Sequence, residues 1–137
     1  MKYIYIIIGG GLGGVSRYLL STTITNFFNK IFPLGTLVVN LAGCFIIGFL
    51  FGLFQKWTIS SNMRLFIFVG FLGGFTTFSS FALETFNLLR EKEIMASLLN
   101  IFFNNFIGIF LVYSGFIGSK FLIKIITRGS LWRKINW

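Results

Sequence analysis

The chain has 137 residues, 55% of them hydrophobic and 11% charged. So few charges, against roughly 25% in an ordinary soluble domain, can hardly cover a soluble globule of this size, and so much hydrophobicity excludes a disordered chain. The net charge is +9, but no basic cluster with interleaved polar residues is long enough to track a phosphate backbone, which argues against a nucleic-acid partner.

One cysteine, Cys44, and no histidine exclude an intramolecular disulfide framework, histidine metal sites and histidine-based catalysis. The twenty phenylalanines stand beside abundant Ile, Asn and Lys, a mix that an AT-rich coding sequence produces. Their abundance alone therefore assigns the rings no function.

A membrane-spanning helix needs about 20 mostly apolar residues. Four stretches qualify, over residues 3–28, 34–54, 65–89 and 94–123, which predicts an all-α membrane protein with a single four-span domain over 1–137. In the first span, Lys2 before an apolar run fits the start of a signal peptide. Residues 14–18 offer no convincing cleavage site, so it is read as an uncleaved span. Gly9, Gly10, Gly11, Gly13 and Gly14 contain two Gly-x-x-x-Gly pairs and suit close helix packing. Arg17 sits late enough to snorkel to the interface, and it can also hold an anion near a pore mouth.

Residues 29–33 lead into the second span, where Pro33 suits the first helical turn. Asn40, Cys44, Gly48 and Gly52 follow at four-residue spacing along one face. The glycines read as packing contacts. Asn40 needs partners inside hydrocarbon, so it faces a bundle interior or water, with interhelical bonding as the plainer alternative.

Residues 55–64 link to the third span, with Ser60, Ser61 and Asn62 as candidate caps. Near the middle of that span lies Gly70-Phe71-Leu72-Gly73-Gly74-Phe75-Thr76-Thr77-Phe78-Ser79-Ser80-Phe81. Such a run makes a poor continuous helix, which predicts a break at mid-membrane. A break there is tolerated only inside protein or along a cavity, where it frees carbonyls and amides for ions. A local kink relieved by hydroxyl back-bonding is the other reading. Phe78 and Phe81 share a face if helix resumes after the break. Ring edges turned to a cavity attract a small anion weakly, and simple packing accounts for the same spacing. Glu84 lies one turn on, and pairing with Arg17 or with backbone suits both charges.

After residues 90–93 the fourth span carries Ser97, Asn100, Asn104 and Gly108 on one stripe, with Asn105 beside it. Amides there offer donors and acceptors, either as a polar track for a small solute or as interhelical glue. Orientation is evenly balanced in the loops. Lys2, Lys56 and Arg64 on one side oppose Lys30, Arg90 and Lys92 on the other. The tail, with Lys120, Lys124, Arg128, Arg133 and Lys134, favours a cytoplasmic C-terminus.

Residues 9–18 (Gly-Gly-Gly-Leu-Gly-Gly-Val-Ser-Arg-Tyr), 35–43 (Gly-Thr-Leu-Val-Val-Asn-Leu-Ala-Gly) and the 70–81 run, in this order on four spans, resemble the CrcB/Fluc family of fluoride ion channels. The resemblance covers roughly residues 4 to 120. It implies an antiparallel dual-topology dimer with two fluoride pathways in a bacterial inner or plasma membrane. It implies a structural Na⁺ at the dimer interface on the carbonyls of Gly73 and Thr76 from both subunits. Phe78 and Phe81 match the pore-lining aromatics, and Asn40 matches the pore asparagine. Ser79 and Ser80 match the hydroxyl-rich stretch, Glu84 a carboxylate after the motif, and Arg17 the first-helix arginine. Many relatives have Tyr and Ser where Asn100 and Asn104 stand.

The implied activity is passive efflux of cytoplasmic fluoride through a channel rather than enzymatic turnover. With no His, one embedded acid and one Cys, a catalytic set is hard to assemble. The alternatives are a small dual-topology multidrug or cation exporter, which needs a first-helix carboxylate where this chain has Arg17, and a non-transporting membrane subunit. The even loop charges favour a homodimer, and the basic tail suits a fixed partner in a heterodimer.

Overall fold

The computed structural model describes residues 2–28 and 32–135, with side chains described as far as Thr127. Most of the first link, including Lys30, and the side chains of Arg128, Arg133 and Lys134 thus lie outside the described residues. Four helices are long and apolar enough to cross a membrane: Lys2–Phe28, Leu34–Lys56, Ser61–Arg90 and Ile94–Thr127.

We label Lys2–Phe28 α1 and Leu34–Lys56 α2. The third span is two helices: α3 over 61–75, which widens to π-helix at Leu65–Leu72, and α4, Phe78–Arg90. The last helix, α5, covers 94–135 and widens to π-helix at Phe103–Ile107.

Several boundaries differ from the sequence reading. The third span begins at Ser61 rather than 65, because Ser60 alone acts as the cap and accepts the Met63 N–H at 3.2 Å. Ser61 and Asn62 are already helical. Pro33 sits at the cap of α2 rather than inside its first turn, and its carbonyl accepts the Leu37 N–H. A tight turn closes α4: Lys92 takes the left-handed conformation at φ 64°, and the Lys92 and Glu93 amides return to the Leu89 and Leu88 carbonyls.

The interruption of the third span is present and narrower than the glycine-rich run suggests. Gly73–Phe75 is helical, and only Thr76 (ψ 158°) and Thr77 (ψ 116°) are extended. None of the described glycines has positive φ. Their use is the missing side chain.

The packing shows this directly. A Cβ on Gly13 would strike the Phe71 carbonyl and lie 2.8 Å from the Phe75 amide. One on Gly74 would lie 2.6 Å from the Gly10 carbonyl. These positions seat α1 against α3, backbone to backbone. On the other side Gly48 meets the Val112 backbone, Gly115 the Phe45 carbonyl and Gly52 the Ser119 hydroxyl, which seats α2 against α5. Between the two pairs, Val39, Leu72, Phe75 and Phe81 are buried, while Ile7, Val69 and Phe110 face outward as a lipid-facing surface does.

This packing separates two neighbouring glycines. Gly13→Ala pushes against backbone that cannot yield, whereas a Cβ on Gly14 has nothing within 4 Å. Thermal unfolding in detergent is expected to show a marked loss for Gly13→Ala. Gly14→Ala should be neutral or gain up to about 1 kcal/mol from helix propensity.

Candidate functional site

Breaking a helix inside hydrocarbon strands backbone donors and acceptors that water cannot reach. Here Asn40, one helix away on α2, takes up both groups of Thr77. Its Oδ1 accepts the Thr77 N–H at 2.9 Å, and its Nδ2 donates to the Thr77 carbonyl at 3.0 Å. This two-point grip fixes which way the amide faces. The second Nδ2 proton goes to Asn104 Oδ1 at 2.9 Å.

The bonding continues along α5. Asn104 Nδ2 donates to the Asn100 carbonyl at 3.0 Å and to Asn100 Oδ1 at 2.9 Å. Asn100 Nδ2 donates to Thr85 Oγ1 at 3.0 Å, and the Thr85 hydroxyl donates to the Phe81 carbonyl at 2.8 Å. All the side-chain donors therefore point one way, from the break back to the first turns of α4. In the same region the Asn105 amide donates to the Ile101 carbonyl at 2.8 Å. Side-chain amides thus compete for helix carbonyls where α5 widens to π-helix.

Thr77 also caps α4. Its Oγ1 accepts the Ser80 N–H at 3.2 Å, donates to Ser80 Oγ at 3.1 Å and stands 3.2 Å from Ser79 Oγ. One hydroxyl has one proton, so Ser79 is the donor to Thr77, and the Ser80 proton is left without an acceptor among the described residues.

A cavity of about 310 Å³ lies against the break, with Asn40, Thr76, Thr77, Phe78, Phe81 and Asn104 in its wall and Cys44 beside them. The rings of Phe78 and Phe81 meet edge to face, with centroids 5.3 Å apart at 60°. Phe81 is 6% exposed and held in place, whereas Phe78 is 75% exposed. The cavity wall contains amide, hydroxyl, thiol and ring groups and, among the described residues, no charged side chain. That combination can hold a small ion by dipoles and ring edges alone.

The family model described as "CrcB-like protein, Camphor Resistance (CrcB)" matches residues 4–116. The chain belongs to the CrcB family. A CrcB relative from Pyrococcus furiosus, named "Fluoride-specific ion channel FluC", is 48% identical over 113 residues, 82% of this chain and 90% of that protein. Proteins of the same name from Desulforapulum autotrophicum and Parabacteroides distasonis are 42% identical over 117 residues and 41% over 126 residues. The first match covers 85% of this chain and 94% of the relative, the second 92% and 98%. With its four apolar helices, this CrcB protein is a multi-pass inner-membrane protein.

The residues singled out from sequence fall into three groups. Asn40, Gly73, Thr76, Phe78, Phe81 and Asn104 share the cavity. Asn100 lies behind it, 1% exposed, as the next link of the amide chain. Ser79 and Ser80 lie on the first turn of α4 around the Thr77 hydroxyl.

Arg17 reaches inward rather than snorkelling, and its Nη1 donates to the Thr76 carbonyl at 3.3 Å. It does not pair with Glu84 among the described residues. Glu84 Oε1 accepts the Thr36 hydroxyl at 2.5 Å, while Oε2 is buried with no partner among the described residues. The α2 stripe divides: Asn40 and Cys44 line the cavity, and Gly48 and Gly52 pack on α5.

Sequence reading missed Thr77, Thr85 and Thr36 in these CrcB networks. Thr77 carries a local signal, a hydroxyl three residues before Ser80 at a helix start. Thr85 and Thr36 carry none, since their partners lie 15 and 48 residues away.

If Asn40 holds the break together, its loss is structural before it is functional. Asn40→Leu leaves the Thr77 N–H without its partner, strips the second bond from its carbonyl and exposes Asn104 Oδ1. Denaturation in detergent is expected to show a loss of about 2 kcal/mol or more. Asn40→Asp still accepts the Thr77 N–H but sets a carboxylate against the Thr77 carbonyl and Asn104 Oδ1, so it should lose at least as much.

Proposed function

We propose that this chain is a subunit of a fluoride-selective channel through which cytoplasmic fluoride leaves passively, lowering its toxicity. The observation that carries this reading is the cavity at the helix break, where the Asn40 amide, the Thr76 and Thr77 hydroxyls and the Phe78–Phe81 pair lie together, with Ser79 and Ser80 bonded to Thr77 beside it. The relatives named as fluoride-specific channels, matched over most of their length, support the same ion.

Fluoride enters acid-exposed cells as neutral HF, dissociates in a more neutral cytoplasm and is trapped there as the anion. A channel lets it leave down its electrochemical gradient. The ion must exchange a strong hydration shell for N–H, O–H and ring-edge contacts. A fixed, narrow path of such groups discriminates against the larger chloride. Asn40 supplies an amide at the break and Ser79 and Ser80 hydroxyls beside it, Phe78 and Phe81 supply ring edges, and Asn100 and Asn104 extend the polar side. Arg17 and Glu84 support the frame.

The reading includes an antiparallel dual-topology dimer, preferably of identical chains. Phe78, mostly exposed on a single chain, and the exposed Gly73 are consistent with a second subunit closing the cavity. A fixed orientation with a complementary partner is the second reading. Lys120 bonds Gln55 at 2.7 Å, which puts it at the end of the bundle that also carries Lys2, Lys56 and Arg64. All the acids outside the spans, Glu91 and Glu93, lie at the other end.

A structural Na⁺ at the dimer centre belongs to the same proposal. The Thr77 N–H is committed to Asn40, so the Gly73 carbonyl loses its usual helical donor, and Thr76, in extended backbone, turns its carbonyl out of the helix. Two such oxygens suit a hard cation, and the same pair from a second subunit gives it four. Arg17 shares the Thr76 oxygen and leaves it a second lone pair. A bound Na⁺ would tie the two breaks together. Exchanging sodium for a bulky organic cation should lower dimer stability, read as the dimer fraction in detergent, before it alters the folded single chain.

Reconstitution in liposomes tests the channel. Fluoride efflux at least tenfold faster than chloride efflux is expected, and equal rates would reject selectivity. Phe78→Ala should reduce fluoride efflux several-fold with little change in the unfolding of the single chain, because its ring is largely exposed there. Phe81→Ala should reduce both flux and stability.

A further inference from the structure

The amide chain that flanks the cavity has a direction, and that direction hides its donors. One Asn40 proton is bound to the Thr77 carbonyl and the other to Asn104 Oδ1. Both Asn104 contacts run to Asn100. As it stands, the amide chain offers an incoming anion no free N–H at Asn40, and Asn104 presents it an oxygen. Asn40 cannot turn over, because Thr77 holds it by donor and acceptor together. The side chains beyond it can.

We propose that the Asn104–Asn100–Thr85 relay reverses when an anion enters, so that Asn104 changes from acceptor to donor, and that the Thr85 hydroxyl is the positioning group that makes the reversal possible. The proposal rests on the anion-channel reading above.

The steps follow from the donor inventory of each group. The anion replaces Asn104 Oδ1 as acceptor of the second Asn40 proton. The Asn104 amide turns over and donates its own N–H to the anion, so two amides now face it. Asn104 Oδ1 then faces Asn100, whose amide turns over in the same sense and donates to it. That leaves Asn100 Oδ1 facing Thr85. Thr85 now accepts from Asn100 and donates to the Phe81 carbonyl, so a rotation of its O–H alone converts it into the donor Asn100 needs. The Phe81 carbonyl keeps its helical N–H partner within α4.

Two contacts are not recovered, the Asn104 amide on the Asn100 carbonyl and the Thr85 hydroxyl on the Phe81 carbonyl. The reversed state therefore holds only while an anion supplies charge-assisted bonds, and the relay resets when the ion leaves. Burial makes the relay all-or-none. Asn100 is 1% exposed and Thr85 9%, so neither finds water as a substitute partner. A valine at 85 has nearly the same shape and can neither accept nor donate.

The test uses the full-length protein in nanodiscs and liposomes with three variants, Thr85→Val, Thr85→Ser and Asn104→Asp. In the parent, fluoride titration is expected to shift the side-chain amide NMR signals of Asn40, Asn104 and Asn100 together. Thr85→Val should uncouple Asn104 and Asn100 from fluoride and cut efflux at least fivefold. Thr85→Ser should remain within twofold of the parent. Asn104→Asp, which accepts and does not donate, should lose at least tenfold.

Thr85→Val conducting like the parent would overturn the relay. So would Asn104 and Asn100 signals that stay fixed while that of Asn40 moves. If Thr85→Val fails to fold, the parent titration and the serine variant decide on their own. A parent that passes no fluoride removes the channel reading and the relay with it. A conducting parent with an indifferent valine variant removes the relay alone.

Discussion

The structure depends on one side chain's grip on one peptide unit: Asn40 on Thr77. Two extended residues in the middle of a spanning helix would leave polar backbone groups in a region without water. Asn40 answers with an amide, which matches a backbone N–H and C=O at once without carrying charge. A serine reaches one of the two, and an aspartate repels the carbonyl. The rest of the site inherits its geometry from this contact. Thr77 is held at the angle from which its hydroxyl caps α4. The cap starts α4, and its first turn places Phe81 inside and Phe78 beside it.

How far the helices can close around that contact is set by glycine. The sequence shows glycines in abundance, and the pattern suggests two uses, packing and breaking. The fold assigns most of them to packing, although a Cβ on Gly11 or Gly14 would meet nothing. Gly73 and Gly74, which look like the break, are helical, and Gly74 leaves room for the backbone at Gly10. The break falls instead on two threonines. β-branched residues favour extended backbone, and here each hydroxyl finds a partner, Thr76 at the Leu72 carbonyl and Thr77 at Ser79 and Ser80. Local propensity alone could not choose between glycine and threonine. The choice is made by α1, whose close approach at Gly10 needs Gly74 to stay helical.

The same division separates what the sequence makes legible from what it hides. Hydropathy and length give the four spans, and spacing along α2 and α5 brings Asn40 and Asn104 onto facing stripes. Neither reveals direction. That Asn104 turns its oxygen to Asn40 follows from the Thr77 peptide, 27 residues away in sequence. That Glu84 meets Thr36 rather than Arg17 follows from how α4 leaves the break, because the new helix axis carries Glu84 towards the start of α2. Charge pairing is the first guess from sequence. The fold satisfies Arg17 with the Thr76 carbonyl instead, a group that exists as a free acceptor only because the helix is broken there.

That use of Arg17 bears on why the cavity is uncharged. A guanidinium facing a small anion in a low-dielectric space would bind it strongly and release it slowly. Bound to the Thr76 carbonyl, Arg17 sets its charge behind a peptide rather than in direct contact with the cavity, and Glu84 is turned away to Thr36. What remains around the cavity are dipoles: amides, hydroxyls and ring edges. Each attracts an anion modestly, and the Asn40 donors must first be taken from an acceptor already in place. An ion that enters such a site gains little more than it gave up in water, so it leaves as readily as it came. On the proposed reading, conduction follows from near-balance between hydration and these contacts, and the break, its amide grip and an arginine turned to a backbone carbonyl are the three features that would hold the balance there.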